Sequence, residues 1–247
     1  MSKGRHLSAR SLALGLTGAR RAWNVCAWLS GLMLIVSVGF YLYIGFVSYV
    51  IEQTGSAFRT GVESELFQVI LTASGVFDLC LIVLVVLTIL FFLRWIWLSV
   101  TLARAVRRQS VRYSPWVAVA GFLVPIANLW MSLFTLVDLE AFSATQETRP
   151  VSAFPWYPAG IVLSGSLAYG LGQIVSITPV DGFADPAASQ MLMQVAAAGS
   201  IAHLVLLMLT HAYMRMVLPG QELALVELTE AEGPVSAAFN GDDSARP

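Results

Sequence analysis

The sequence predicts an all-α integral membrane protein: four transmembrane helices plus a proline-broken re-entrant or interfacial hairpin. Three observations predict it: an apolar composition, apolar runs of membrane-helix length, and a one-sided distribution of lysine and arginine. The chain has 247 residues, 57% of them hydrophobic and 12% charged, with a mean hydropathy of +0.74. A soluble domain is about 25% charged, so this chain cannot cover itself with polar surface. A net charge of −1 and two cysteines argue against a nucleic-acid binder and a disulfide framework. The apolar content excludes a disordered chain.

A helix needs about 20 apolar residues to cross a bilayer. Such runs occur at 27–51, 66–100, 158–177 and 188–218, and together they outline one membrane domain over 23–218. They are too long and too poorly alternating for barrel strands of about 10 residues. Helices fit, because a spanning helix satisfies its own backbone donors. Before the first span, residues 1–22 form a basic arm with Lys3, Arg5, Arg10, Arg20 and Arg21. Arginines that follow the weak apolar patch at 12–16 suit an uncleaved first span better than a signal peptide. Residues 7–16 fit either an interfacial helix or a solvated arm. After the last span, 219–247 carries six acids and Arg246 and reads as an acidic, largely disordered tail, a candidate dock for a protein partner.

Whether 115–143 crosses decides the topology. If it crosses there are five spans, and Arg149 and Arg215 lie outside. If it returns there are four, and of the 14 lysines and arginines only Arg59 lies outside. The positive-inside rule then puts the N-terminus, the basic loop at 104–112 and the C-terminus in the cytoplasm. Pro125 interrupts the stretch near its middle, Asn128 offers a short polar side chain at the break, and Asp138 and Glu140 suit an interfacial helix. A return also gathers all seven tryptophans near the inner interface, where indoles prefer to sit. The return is favoured; a kinked fifth span is the alternative.

Phe92-Leu93-Arg94-Trp95, Ser114-Pro115, Ala118-Val119 and above all Pro125-Ile126-Ala127-Asn128-Leu129-Trp130 resemble a family of bacterial multi-pass membrane proteins, domain of unknown function 4328. The resemblance covers about 50 residues and implies a helical fold and the bacterial cytoplasmic (plasma) membrane, with no assigned chemistry. The family tends to carry an Arg and an Asn where this chain has Leu98 and Leu102, and Arg-Pro where it has Met131-Ser132.

Asp78 interrupts the second span, where a charge at mid-helix costs about 2.5–3.5 kcal/mol on insertion scales. His203 lies in the last span on a small-residue face with Ala196, Gly199 and Ser200. At ~1.5 Å per residue from Arg94 and Arg215, the two lie ~24 and ~18 Å deep. They form a candidate intramembrane pair, either proton-handling or simply helix-orienting. Pro125 and Asn128 are a candidate helix-break site. Arg94, Trp95 and Trp97 are expected interface anchors, and Gly160, Ser164, Ala168 and Gly172 a helix-packing line. No catalytic, metal or cofactor motif is present. The expected partners are the bilayer, with anionic lipids as candidates at the basic arm and loop, and no nucleic acid; oligomeric state is not readable. The expected role is non-enzymatic, as a regulatory, scaffold or envelope-associated protein. A small transporter, channel or proton-linked sensor using Asp78 and His203 is the alternative.

Overall fold

The computed structural model describes residues 8–54, 66–124, 128–151, 155–177 and 186–232. Among these it is all-helical, with α1 (Ala9–Thr54), α2 (Leu66–Val106), α3 (Pro115–Leu123), a π-helical turn (Asn128–Ser132), α4 (Leu133–Gln146), α5 (Trp156–Ile177) and α6 (Pro186–Glu232). Four helices are long and apolar enough to cross a membrane, over Ala9–Phe46, Val76–Val106, Trp156–Val175 and Gln190–Glu232. The chain divides into two compact units. The first comprises Met1–Arg21, Phe91–Pro158 and Tyr213–Pro247; the second comprises Ala22–Leu90 and Ala159–Ala212.

The second unit is a helix bundle turned inside out. Ile35, Leu42, Ile82, Leu90, Leu163 and Met208 are exposed, while Ser30, Ser37, Thr88, Ser164, Ser200 and Thr210 are buried. Lipid replaces water as the outer solvent here, so large apolar groups face outward and small residues let backbones approach. Neighbouring helices are antiparallel. In α1 and α6, Trp23 stacks on His211, Gly31 faces Leu204 and Gly45 faces Met193. In α5 and α6, Gly160 faces Leu209, Gly165 faces Leu206 and Leu171 faces Gly199. Ser30 of α1 lies 3.3 Å from Thr88 of α2, oxygen to oxygen. An antiparallel α1 and α6 needs an even number of crossings, so the chain between α2 and α5 does not span.

That chain is a hairpin, built from the first unit's own residues. Ser114 caps α3, its hydroxyl accepting from the Val117 amide, and Pro115 occupies the first turn, where its missing donor costs nothing. Val124 is extended, with φ −92° and ψ 116°, as the residue before a proline prefers, and α3 ends there. Gly121 then permits close return of the π turn: a Cβ on it would lie 2.7 Å from the Met131 Cβ. At the hairpin's base the Arg112 amide donates to Asp138 Oδ2 at 3.0 Å, and the Arg112 Nε lies 3.3 Å from Oδ1. Residues 26 apart in such contact cannot stand at opposite ends of a crossing.

Two expected boundaries differ from the structure. The basic arm is helical from Ala9, where the Ser8 hydroxyl accepts from the Ser11 amide and Glu232 Oε1 accepts from the Ala9 amide at 2.9 Å. Leu12, Leu16 and Ala19 are buried on one helical face, and Gly15 lets Leu98 pack against it. At the other end α6 continues through Pro219 to Glu232; the part of the acidic tail beyond it lies outside the described residues.

Candidate functional site

The residues singled out in the sequence are not brought together. Asp78 is exposed and His203 half-buried; both are described, and no hydrogen bond or ion pair joins them. The histidine with a clear polar neighbour is His211, whose Nδ1 lies 3.2 Å from Asn24 Oδ1 while its ring stacks on Trp23 at 6.2 Å. Of the helix-break pair, Asn128 opens the π turn, and Pro125 and the Asn128 side chain lie outside the described residues. Arg94 is exposed and Trp97 half-buried, but Trp95 is only 1% exposed. An indole enclosed by protein is a core residue rather than an interface anchor; it meets Tyr213 edge-on at 6.2 Å.

In the packing line, a Cβ on Gly160 would lie 2.9 Å from Leu209 Cδ1, while Gly172 faces open space. Ser164 is buried and donates to the Gly160 carbonyl at 2.7 Å, and Ala168 is half-buried. The close contact is carried by Gly160 and Gly165 rather than by an unbroken line to Gly172.

What the structure does assemble is a polar network inside the first unit. Asp138 and Glu140 are 8% and 4% exposed, and Ser143, Tyr213, Gln221 and Ser99 are buried with them. The Tyr213 hydroxyl donates to the Leu136 carbonyl at 2.6 Å. Gln221 Nε2 donates to Ser99 Oγ at 2.9 Å, and that hydroxyl donates to the Trp95 carbonyl at 2.8 Å. Ser143 Oγ lies 2.8 Å from Glu147 Oε1 and 3.0 Å from the Val217 carbonyl, its one proton shared between them. Arg149 pairs with Glu147 at 3.3 Å and donates to the Met216 carbonyl at 3.5 Å.

Two of these carbonyl contacts cluster where α6 carries Pro219. Proline cannot donate to the carbonyl four residues back, and the carbonyls just before it, Met216 and Val217, take donors from α4 and the segment after it. Burial pushes the Asp138 carboxyl above its ordinary pKa, partly offset by the Arg112 amide bond and guanidinium. Burial also raises Glu140, against the opposing charge of Arg149. Among the described residues no hydrogen bond reaches the Glu140 carboxylate. The network can hold one polar surface rigid, and burial of its two acids favours their protonation.

The sequence carried only a partial signal for this network. Asp138 and Glu140 stood out as acids in an apolar stretch, but nothing local marked Ser143, Tyr213 or Gln221 as their neighbours. Their contacts span 74 to 122 residues.

A family model described as a domain of unknown function (DUF4328) matches residues 59–218, which takes in α2, the hairpin, α5 and α6 as far as Leu218. No curated protein and no solved structure matches the chain.

Proposed function

We propose, for a chain that belongs to the DUF4328 family and has four helices long and apolar enough to cross a membrane, a non-enzymatic role as a membrane-anchored scaffold or regulatory protein. One observation carries the reading. All ten arginines among the described residues lie in the first unit. By the positive-inside rule that unit faces the cytoplasm, with both termini inside, in the bacterial cytoplasmic membrane. The second unit is then the anchor and the first a platform.

The platform's interior supports this reading. It is tied by buried hydrogen bonds between the ends of long helices and the hairpin, an arrangement suited to holding a surface in place. On that surface the α6 extension presents Leu223 and Val226, 48% and 56% exposed, beside Glu222, Glu227 and Glu230. An acidic strip with apolar positions fits a basic amphipathic partner helix.

The test combines two measurements on the full chain. A photocrosslinking residue at Val226 is expected to give a discrete protein adduct in cells, lost when Glu222→Lys and Glu227→Lys reverse the strip's charge. In proteoliposomes the chain is expected to pass no protons. Proton flux abolished by Asp78→Asn would replace the scaffold reading with a small transporter or proton-linked sensor.

A further inference from the structure

The turn that follows α2 forms one wall of an open cavity of about 620 Å³, with Arg107, Arg108 and Ser110 on one side and Ala141, Phe142 and Thr145 of α4 on the other. We propose that this cavity binds the phosphate group of an anionic phospholipid. The inference rests on the four-span reading above, which puts the turn at the cytoplasmic end of α2.

The turn is held before any ligand arrives. The Arg107 amide donates to the Ala103 carbonyl at 2.9 Å and the Ser110 amide to the Arg107 carbonyl at 3.0 Å. Ser110 Oγ lies 2.9 Å from the Ala103 carbonyl and 2.7 Å from that of Arg107. Its proton is therefore committed to the backbone. Thr145 donates to the Ala141 carbonyl at 2.8 Å, so it too has no proton to offer. The lining side chains whose donors are not committed are the Arg107 and Arg108 guanidiniums and the Gln109 amide. Such a lining suits a ligand rich in acceptors and negatively charged, as a phosphate is, and not a polyol.

Its charge is uncompensated. Asp138 on the same helix face as Ala141, Phe142 and Thr145 is occupied by Arg112, and Glu147 by Arg149. Among the described residues no carboxylate pairs with Arg107 or Arg108. Two adjacent unpaired arginines on a fixed turn form a site for a dense anion.

A lipid, rather than free phosphate, is indicated by position. α2 is long and apolar enough to cross as far as Val106, so Arg107 and Arg108, the next two residues of the chain, stand at the inner end of a membrane helix. Phe142 and Ala141 supply an apolar wall for the glycerol carbons below the phosphate. Basic pockets at the inner ends of membrane helices take anionic headgroups in this way.

The experiment is native mass spectrometry of the full chain in detergent, titrated separately with phosphatidylglycerol, phosphatidylcholine and inorganic phosphate. One phosphatidylglycerol is expected to be retained in preference to phosphatidylcholine. Arg107→Gln with Arg108→Gln is expected to weaken it about 30-fold, as two surface arginines would, and Arg215→Gln, outside the cavity, to leave it unchanged. Thr145→Glu places an opposing charge on the exposed wall without touching the turn, and is expected to remove the bound lipid in a protein that unfolds at the unaltered temperature. Retention by both variants, or equal loss in Arg215→Gln, would overturn the site. Saturation by inorganic phosphate with no preference for phosphatidylglycerol would overturn the lipid assignment. A wrong topology would show separately, as labelling of a cysteine at Glu230 in intact cells.

Discussion

Ser143 and Gly220 bring α4 and α6 to within backbone contact, and a Cβ on Gly220 would collide with the hydroxyl, Cα and carbonyl of Ser143. The Ser143 backbone cannot swing away as a flexible side chain could. Gly220→Ala is therefore expected to destabilise the chain by ~1–3 kcal/mol, read as a lower unfolding midpoint in detergent. Glu140 makes the opposite prediction. Its pKa is raised on folding by burial, as is that of Asp138, so the folded chain binds protons more tightly than the unfolded one. Stability from these groups is full below the ordinary carboxylate range and is lost as pH rises through the raised values. The unfolding midpoint should be higher near about pH 5 than near about pH 7. Glu140→Gln should raise the midpoint at neutral pH and flatten that dependence, and a steeper dependence would contradict the account.

Among the elements, the hairpin and the N-terminal turns of α1 differ in how well the sequence announced them. Pro125 and the acids Asp138 and Glu140 marked the broken stretch, because a proline in an apolar run leaves a local trace. Its π turn left none; that turn follows from Gly121 admitting Met131, a contact between separate segments. Gly121→Val is expected to splay the hairpin at a cost of ~1–3 kcal/mol, with protease sensitivity near residue 113 as a second readout. The start of α1 was legible only as one of two readings of residues 7–16, for a different reason. Arg10, Arg20 and Arg21 depress the local hydropathy, while the stripe of Leu12, Leu16 and Ala19 is visible only at helical period. Leu12 is fully buried, so Leu12→Ala should cost ~2–5 kcal/mol, whereas a solvated arm would show no loss. Trp95 is ambiguous for a related reason, since an indole beside an arginine reads the same from sequence whether it faces lipid or core.

For the whole molecule, the central claim is an even number of crossings with all the described arginines in one unit. Composition and run length were enough to show a membrane protein, because hydropathy is a local property. The side to which 115–143 returns was legible only through the arginine distribution, and the antiparallel pairing of α1 with α6 needed the three-dimensional structure. The most direct test is cysteine accessibility in intact cells. Cys26 and Cys80 are changed to serine, and single cysteines are placed at the exposed positions Gln109 and Glu230, with Ser56 between α1 and α2 as the external reference. Ser56→Cys should react with an impermeant thiol reagent, and both Gln109→Cys and Glu230→Cys should react only after permeabilisation. Labelling of Glu230→Cys in intact cells while Gln109→Cys stays protected would mean a fifth crossing and would contradict the account.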